Sequence, residues 1–182
     1  MEIVLTGAVA AAAALLPAAV FAVDYLSVAE ASRLLFPDAE RFDARTIDLD
    51  AAQLQSLDRR GVRARSARWN ALVARRGDAT LGYVVADQVV GKFELIGYAV
   101  GIGLDGAVRQ VEILSYRESH GGEIRLAAWR RQFAGKTADS PLRIGDDIAN
   151  ISGATLSCSH VTEGVRRIVA VVEAARKSGA LA

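Results

Sequence analysis

The apolar positions of this chain change period along its length. Val161, Val165, Ile168, Val169 and Val172 recur at three- and four-residue spacing, the pattern of a helix with one buried face, and they predict a helix over 159–177. Val28, Ala31, Leu34 and Leu35 repeat that spacing over a shorter stretch, framed by Ser27 and Glu30 as a capping box and stopped before Pro37. Asp50 opens another helix that carries Leu54 and Leu57 and ends at Gly61. The middle reads differently. Segments 69–75 and 81–90 are rich in β-branched and aromatic residues and predict strands, with Gly77-Asp78 as the turn between them. Segments 93–104 and 108–116 flank Asp105-Gly106, which predicts a hairpin closed by a two-residue turn with positive φ at both positions. Segment 123–133 reads as a helix with Ile124, Ala127, Ala128 and Phe133 available for one face, ended by Gly135. Strands followed by helices predict an α+β fold, an antiparallel sheet with helices packed on it in one domain.

The amino-terminal run stands apart. Residues 3–23 carry no charge, are rich in alanine and end Val20-Phe21-Ala22. This composition fits a secretory signal with a small-residue cleavage site after Ala22. Its 21 uncharged residues also match the roughly 20 that cross a bilayer. Residues 1–22 are therefore expected to be a signal peptide or a membrane anchor, and 23–182 the functional domain. Either way the remainder is expected outside the cytoplasm: periplasmic, or anchored to the inner membrane and facing the periplasm. Cys158 is the single cysteine, so no internal disulfide forms and the core must supply stability.

Net charge is +1 with 52% hydrophobic residues, a globular composition. Seven arginines fall between Arg59 and Arg76, but only Trp69 interleaves them, which argues against nucleic acid and for a solvated face or a surface for an acidic partner. Gly101, Gly103 and Gly106 match the spacing of a dinucleotide-binding loop. They lead into a strand pattern rather than a helix, so no helix N-terminus would meet a pyrophosphate. His120 and His160 lie far apart, and Cys158 with His160 has no metal-ligand spacing, so no metal is expected. Neither a nucleophile–base pair nor paired carboxylates stand out, so no catalytic residue is assigned.

One stretch concentrates chemistry. Residues 151–160 read Ile-Ser-Gly-Ala-Thr-Leu-Ser-Cys-Ser-His at the entrance to the last helix. Hydroxyls there cap unpaired first-turn amides in many proteins. The same amides and the helix dipole also attract anions. A threonine hydroxyl in that place can form an ester with a phosphate held by those amides, and Gly153 and Ala154 leave room for it. The residues alone admit both readings, cap and attachment point.

Ser152-Gly-Ala-Thr155 resembles the S-G-A-T motif of the FMN-binding domain family, which includes flavin-carrying subunits of the sodium-pumping quinone reductase and of the related ferredoxin-oxidising complex. The resemblance covers about residues 93–176. In that family a hairpin precedes an E-T-P-G-L-G segment, and here 98–116 leads to Glu118-Ser-His-Gly-Gly-Glu123. His120 and Gly122 replace the family's Pro and Leu. Ala149 stands where the family often has Asp, with Asp146 and Asp147 just upstream as candidates to take its place.

The resemblance implies FMN bound covalently through a phosphoester at Thr155, installed by a flavin transferase outside the cytoplasm. Ser152, Gly153, Ala154 and Ser157 would complete the attachment site, and Glu118, Ser119 and Gly121 would contact the cofactor. It further implies a carrier, rather than a substrate-converting enzyme, that relays electrons between membrane or periplasmic redox partners. Two other classes stay open: a flavin-free exported binding module in which 151–157 is only a helix cap, and a flavin reductase acting on a soluble substrate.

Overall fold

The computed structural model describes residues 25–181, so the expected signal or anchor segment lies outside the described residues. Helix α1 (Val28–Leu35) is followed by strand β1 (Arg41–Asp48), helix α2 (Ala51–Arg59), and strands β2 (Arg68–Arg76), β3 (Ala79–Val90), β4 (Leu95–Gly103) and β5 (Val108–Ser115). The short helix α3 (Ala127–Arg130) has a 3₁₀ turn on each side, and the long helix α4 (Thr155–Lys177) closes the fold. The five strands form one antiparallel sheet in the order β1-β2-β3-β4-β5. The fold is α+β, as the pattern predicts.

Strand β4 shows how the layers are chosen. Ile96, Tyr98, Val100 and Ile102 alternate with Gly97, Ala99, Gly101 and Gly103. The large residues join the main core with Val161, Val165, Ile168 and Val172 of α4. Ala99, on the small side, joins a second cluster with Ala31, Leu35 and Phe36 at α1. A Cβ at Gly101 would come within 3.1 Å of Leu35 Cβ. Gly101 and Gly103 of the nucleotide-loop pattern are thus on the small face of a strand, with α1 close at Gly101, and Gly106 is in the hairpin loop. Each buried Val or Ile on the α4 side contributes on the order of 1.5–3 kcal/mol, and this face dominates the core.

Three expectations are corrected, and one strand lies outside them. The hairpin between β4 and β5 is not closed by a two-residue turn. The Gly103 amide bonds the Ala107 carbonyl across a three-residue loop. Gly106 alone takes positive φ there (84°), and Asp105 accepts the Ala107 amide at 3.0 Å. That loop spares Asp105 the left-handed conformation. Segment 123–133 is not one helix: Leu126 is extended and breaks it. Ile124 and Phe133 are both fully buried. At about 100° per residue they would lie on opposite sides of an unbroken helix. Strand β1 escapes the pattern because it is an edge strand with one buried residue, Ile47. Helix α4 begins at Thr155, four residues before the apolar repeat requires it.

Several arginines of 59–76 are bound into the structure rather than left to solvent. Arg65 donates to the Gln88 carbonyl at 3.0 Å, Arg60 to the Ala138 carbonyl at 2.5 Å, and Arg75 pairs with Asp43 at 3.0 Å.

Helix α4 passes close over the sheet at Gly164. A Cβ there would sit 2.1 Å from the Tyr98 hydroxyl and 2.7 Å from its ring carbon. Tyr98 cannot yield: it is fully buried, and its hydroxyl donates to Asp87 at 3.2 Å. Gly164→Ala should therefore lower stability, since overpacking costs roughly 1–3 kcal/mol against about 1 kcal/mol recovered from helix propensity. The loss should be smaller in a Tyr98→Phe background, where the oxygen is gone. Urea unfolding midpoints of the four proteins of this cycle measure it, and equal losses in both backgrounds would mean the collision is elsewhere.

Candidate functional site

Three segments meet at one end of the sheet: the β3–β4 turn (91–94), the loop after β5 (116–123) and the start of α4. In the turn, the Gly91 amide donates to the Glu94 carbonyl at 2.7 Å. One carboxylate oxygen of Glu118 then accepts the amides of Phe93 and Glu94, at 2.6 and 3.0 Å. Partial burial raises the pKa of this carboxyl, but the backbone donors at Glu94, Phe93 and Lys92 outweigh it and hold the group below the ordinary glutamate range. From the other side, His160 of α4 meets the Val90 carbonyl at 2.5 Å through Nδ1.

The second segment is fastened to α4 through Tyr116. Its buried hydroxyl donates to the His120 carbonyl and lies 3.3 Å from Ser157 Oγ. Burial pushes the phenol above its ordinary pKa, so it stays protonated as a donor. Gly121 takes φ +85°, and a Cβ there would come within 2.6 Å of Ala154 Cβ and 2.7 Å of the Tyr116 hydroxyl. Glycine is what lets this loop touch the helix entrance.

At that entrance the hydroxyls do not act as caps. The N-cap residue is Ala154, which makes no side-chain cap bond, and the first turn holds no acidic residue. The helix end therefore keeps its unpaired amides and its positive dipole. Thr155 is exposed, and its hydroxyl accepts from Asn150 Nδ2 at 3.0 Å. The segment before it is tied down: Trp129 Nε1 donates to the Ala149 carbonyl at 2.8 Å, and Gln132 accepts the Ala149 amide at 2.7 Å. Asp147 is no substitute for an acid at position 149. Its carboxylate accepts the Leu142 and Arg143 amides and pairs with Lys136 at 3.0 Å. Burial opposes ionisation there, but the Arg143 amide and Lys136 prevail and lower its pKa. Asp146 is exposed and pairs with Arg143 at 3.3 Å.

These segments enclose an open cleft of about 610 Å³ lined by Lys92, Phe93, Glu118, Ser119, His120 and residues 153–157. The volume lies within the roughly 300–1,000 Å³ of small-molecule sites. Of the eight positions singled out from the sequence, Gly153, Ala154, Thr155, Ser157, Glu118 and Ser119 are on the wall, brought together across more than thirty positions of chain. Ser152 and Gly121 are not among its lining residues. Ser152 is exposed beside it, and Gly121 is packed behind it. Ser157 is 4% exposed and turned to Tyr116, so it shapes the wall more than it offers a free hydroxyl. Sequence reasoning missed Asn150, Lys92, Phe93, His120 and Leu156. Asn150, an amide donor five residues before a candidate nucleophile, was the one readable signal.

The donor set suits a flavin mononucleotide. An uncapped helix end favours a phosphate, the exposed Thr155 hydroxyl stands at that end, and Phe93 and Leu156 offer apolar surface to a planar ring, with the Lys92 ammonium beside Phe93. Cys158 is fully buried, and burial pushes its thiol up, which makes it a packing residue rather than a reactive thiolate. Among the described residues no group of three or more His, Cys, Asp or Glu is placed to hold a metal ion.

Comparison with known proteins agrees with this chemistry. A family model described as the FMN-binding domain matches residues 91–170, a span that contains every residue lining the cleft. A subunit of the proton-translocating ferredoxin:NAD(+) oxidoreductase complex of Clostridium ljungdahlii is 31% identical over 103 residues. The match takes in 53% of this chain and 56% of that relative, so the chain spans little more than half the relative's length. Residues 91–170, with the cleft they build, match the FMN-binding domain family, and that match supports FMN as the cofactor of this site.

Proposed function

We propose that the chain carries FMN covalently, through a phosphoester to Thr155, and works outside the cytoplasm as an electron carrier between membrane or periplasmic redox partners. The observation that carries this is the state of Thr155: an exposed hydroxyl at a helix N-terminus that no side chain caps, held by Asn150 and facing the cleft. A cap would have turned the hydroxyls inward to the first-turn amides. Instead those amides remain for a phosphate, and Thr155 Oγ1 supplies the ester oxygen when a flavin transferase breaks the pyrophosphate bond of a flavin dinucleotide. The flavin-side phosphorus bonds to Oγ1, the nucleoside monophosphate leaves, and the hydroxyl proton passes to the transferase. Bound FMN supplies electron transfer in one- or two-electron steps, while the chain supplies tether, shielding and electrostatic tuning.

The relative is, by its name, part of a ferredoxin:NAD(+) oxidoreductase complex that translocates protons. That setting supports a relay role within a membrane assembly. Export rests on the uncharged run at 3–23; among the described residues no helix is long and apolar enough to cross a membrane. If the run is a cleaved signal, amino-terminal sequencing of the exported protein reads from Val23. Full-length chain found only in the membrane fraction would establish the anchor instead.

Thr155→Val keeps the side-chain volume and removes the oxygen. Produced in a host with a flavin transferase, it should fold, lack the FMN mass and show no flavin fluorescence after denaturing electrophoresis. Asn150→Ala should keep the attachment but slow it roughly threefold to tenfold, the worth of one hydrogen bond of about 0.5–1.5 kcal/mol. Cys158→Ser should retain full modification. A covalent FMN mass on Thr155→Val would move the attachment to another residue. Wild type without that mass would leave noncovalent FMN, and steady turnover of a soluble reductant would then favour a flavin reductase.

A further inference from the structure

The β3–β4 turn is held far more firmly than an exposed hairpin tip requires. Turns of four residues are ordinarily among the mobile parts of a fold. Here the Glu118 carboxylate takes two successive amides, Gly91 closes on Glu94, and His160 holds the Val90 carbonyl just before. Gly91 is part of the same device: a Cβ there would meet the Glu118 carboxylate at 2.5 Å and Ile96 Cδ1 at 3.0 Å. What all this fixes in place is a phenyl ring in solvent. Phe93 is 75% exposed, more than any other large apolar residue among those described, and the Lys92 ammonium lies 4.8 Å from its ring centre. Leu156, 46% exposed, lines the same cleft one residue beyond Thr155. A carboxylate bound to backbone amides, pinning an aromatic ring that covers nothing, makes physical sense when the ring has an occupant to meet.

We propose that Phe93 and Leu156 are the apolar wall that receives the flavin ring, that Lys92 sets a positive charge beside it, and that Glu118 is a positioning residue for this wall rather than a flavin ligand. This rests on FMN being tethered at Thr155. The cleft then has two chemically distinct ends, the helix N-terminus for phosphate and the Phe93 turn for the ring. Phe93 excludes water and solutes from the ring. Lys92 favours the reduced ring, which carries more negative charge than the oxidised one, and so raises the midpoint potential. Glu118 acts only through the turn it clasps. A glutamine there keeps the accepting oxygen and so keeps the clasp; an alanine does not.

The test uses the full chain, flavinylated in a transferase-containing host, with intact mass establishing FMN content for every variant. Accessibility of the ring is read by iodide quenching of flavin fluorescence at high, constant ionic strength. Phe93→Ala should raise the quenching constant about twofold or more, because an aromatic ring covers on the order of 150–250 Å². Glu118→Ala should match it, and Glu118→Gln should restore the wild-type value. Lys92→Gln should lower the midpoint potential by spectroelectrochemistry, with the FMN mass unchanged. Equal quenching of wild type and Phe93→Ala, an exposed change that leaves the fold intact, would overturn the proposed wall while the mass still upholds Thr155. Wild-type quenching in Glu118→Ala beside raised quenching in Phe93→Ala would remove the positioning role alone. A potential unmoved by Lys92→Gln would remove its tuning role. Wild type without the FMN mass would overturn the attachment, and this inference with it.

Discussion

The packing of α4 across β3 and β4 sets the position of everything at the cleft. Val161, Val165, Ile168 and Val172 bury one face of the helix against Val85, Val89, Tyr98 and Val100 of the sheet. Close approach at Gly164 over Tyr98 leaves the helix little freedom to slide or turn, because a buried phenol already fills the space beneath it. A helix seated in this way has its N-terminus delivered to a fixed point. Here that point lies beside the turn between the two strands it crosses. The anion-attracting end of α4 and the exposed Phe93 ring face one cleft because the same apolar stripe orients both.

Around that point the polar groups divide into fasteners and reagents. Glu118, Tyr116, His160, Trp129 and Asp147 each hydrogen-bond to backbone, so they hold loops. Thr155 and Lys92 line the cleft, with Asn150 donating to the Thr155 hydroxyl. Glu118, expected as a cofactor contact, lines the cleft and also holds the turn. Buried anions are stable when several backbone amides converge on them, and 91–94 presents such amides. The Glu118 carboxylate on the cleft wall is thereby engaged by the turn amides.

The family match begins at Gly91 and ends within α4. Strands β1 to β3, α1 and α2 lie before it, yet they share the sheet and both clusters of the core. The cleft is built within the matched span, and the earlier elements widen the sheet and cover its second face.

The sequence by itself determined the helix α4, the strands β2 to β5 and the α+β class, because each depends on a period of apolar residues that local geometry reads directly. Thr155 entered as the candidate attachment point through the resemblance of Ser152-Gly-Ala-Thr155 to the S-G-A-T motif, because the residues alone admit a cap as well. Tertiary structure decided the rest. Edge strand β1 carries almost no apolar signal, because pairing with β2 and not burial makes it a strand. Segment 123–133 breaks because Ile124 and Phe133 must reach one core from positions that a single helix would place on opposite sides. Whether the hydroxyls of 151–157 cap the helix or leave it open depended on Ala154 taking the cap position. The roles of Glu118, Phe93 and Lys92 depended on a loop and a turn meeting across 25 residues of chain. No local pattern encodes such a meeting, because it is set by how the whole sheet and α4 pack.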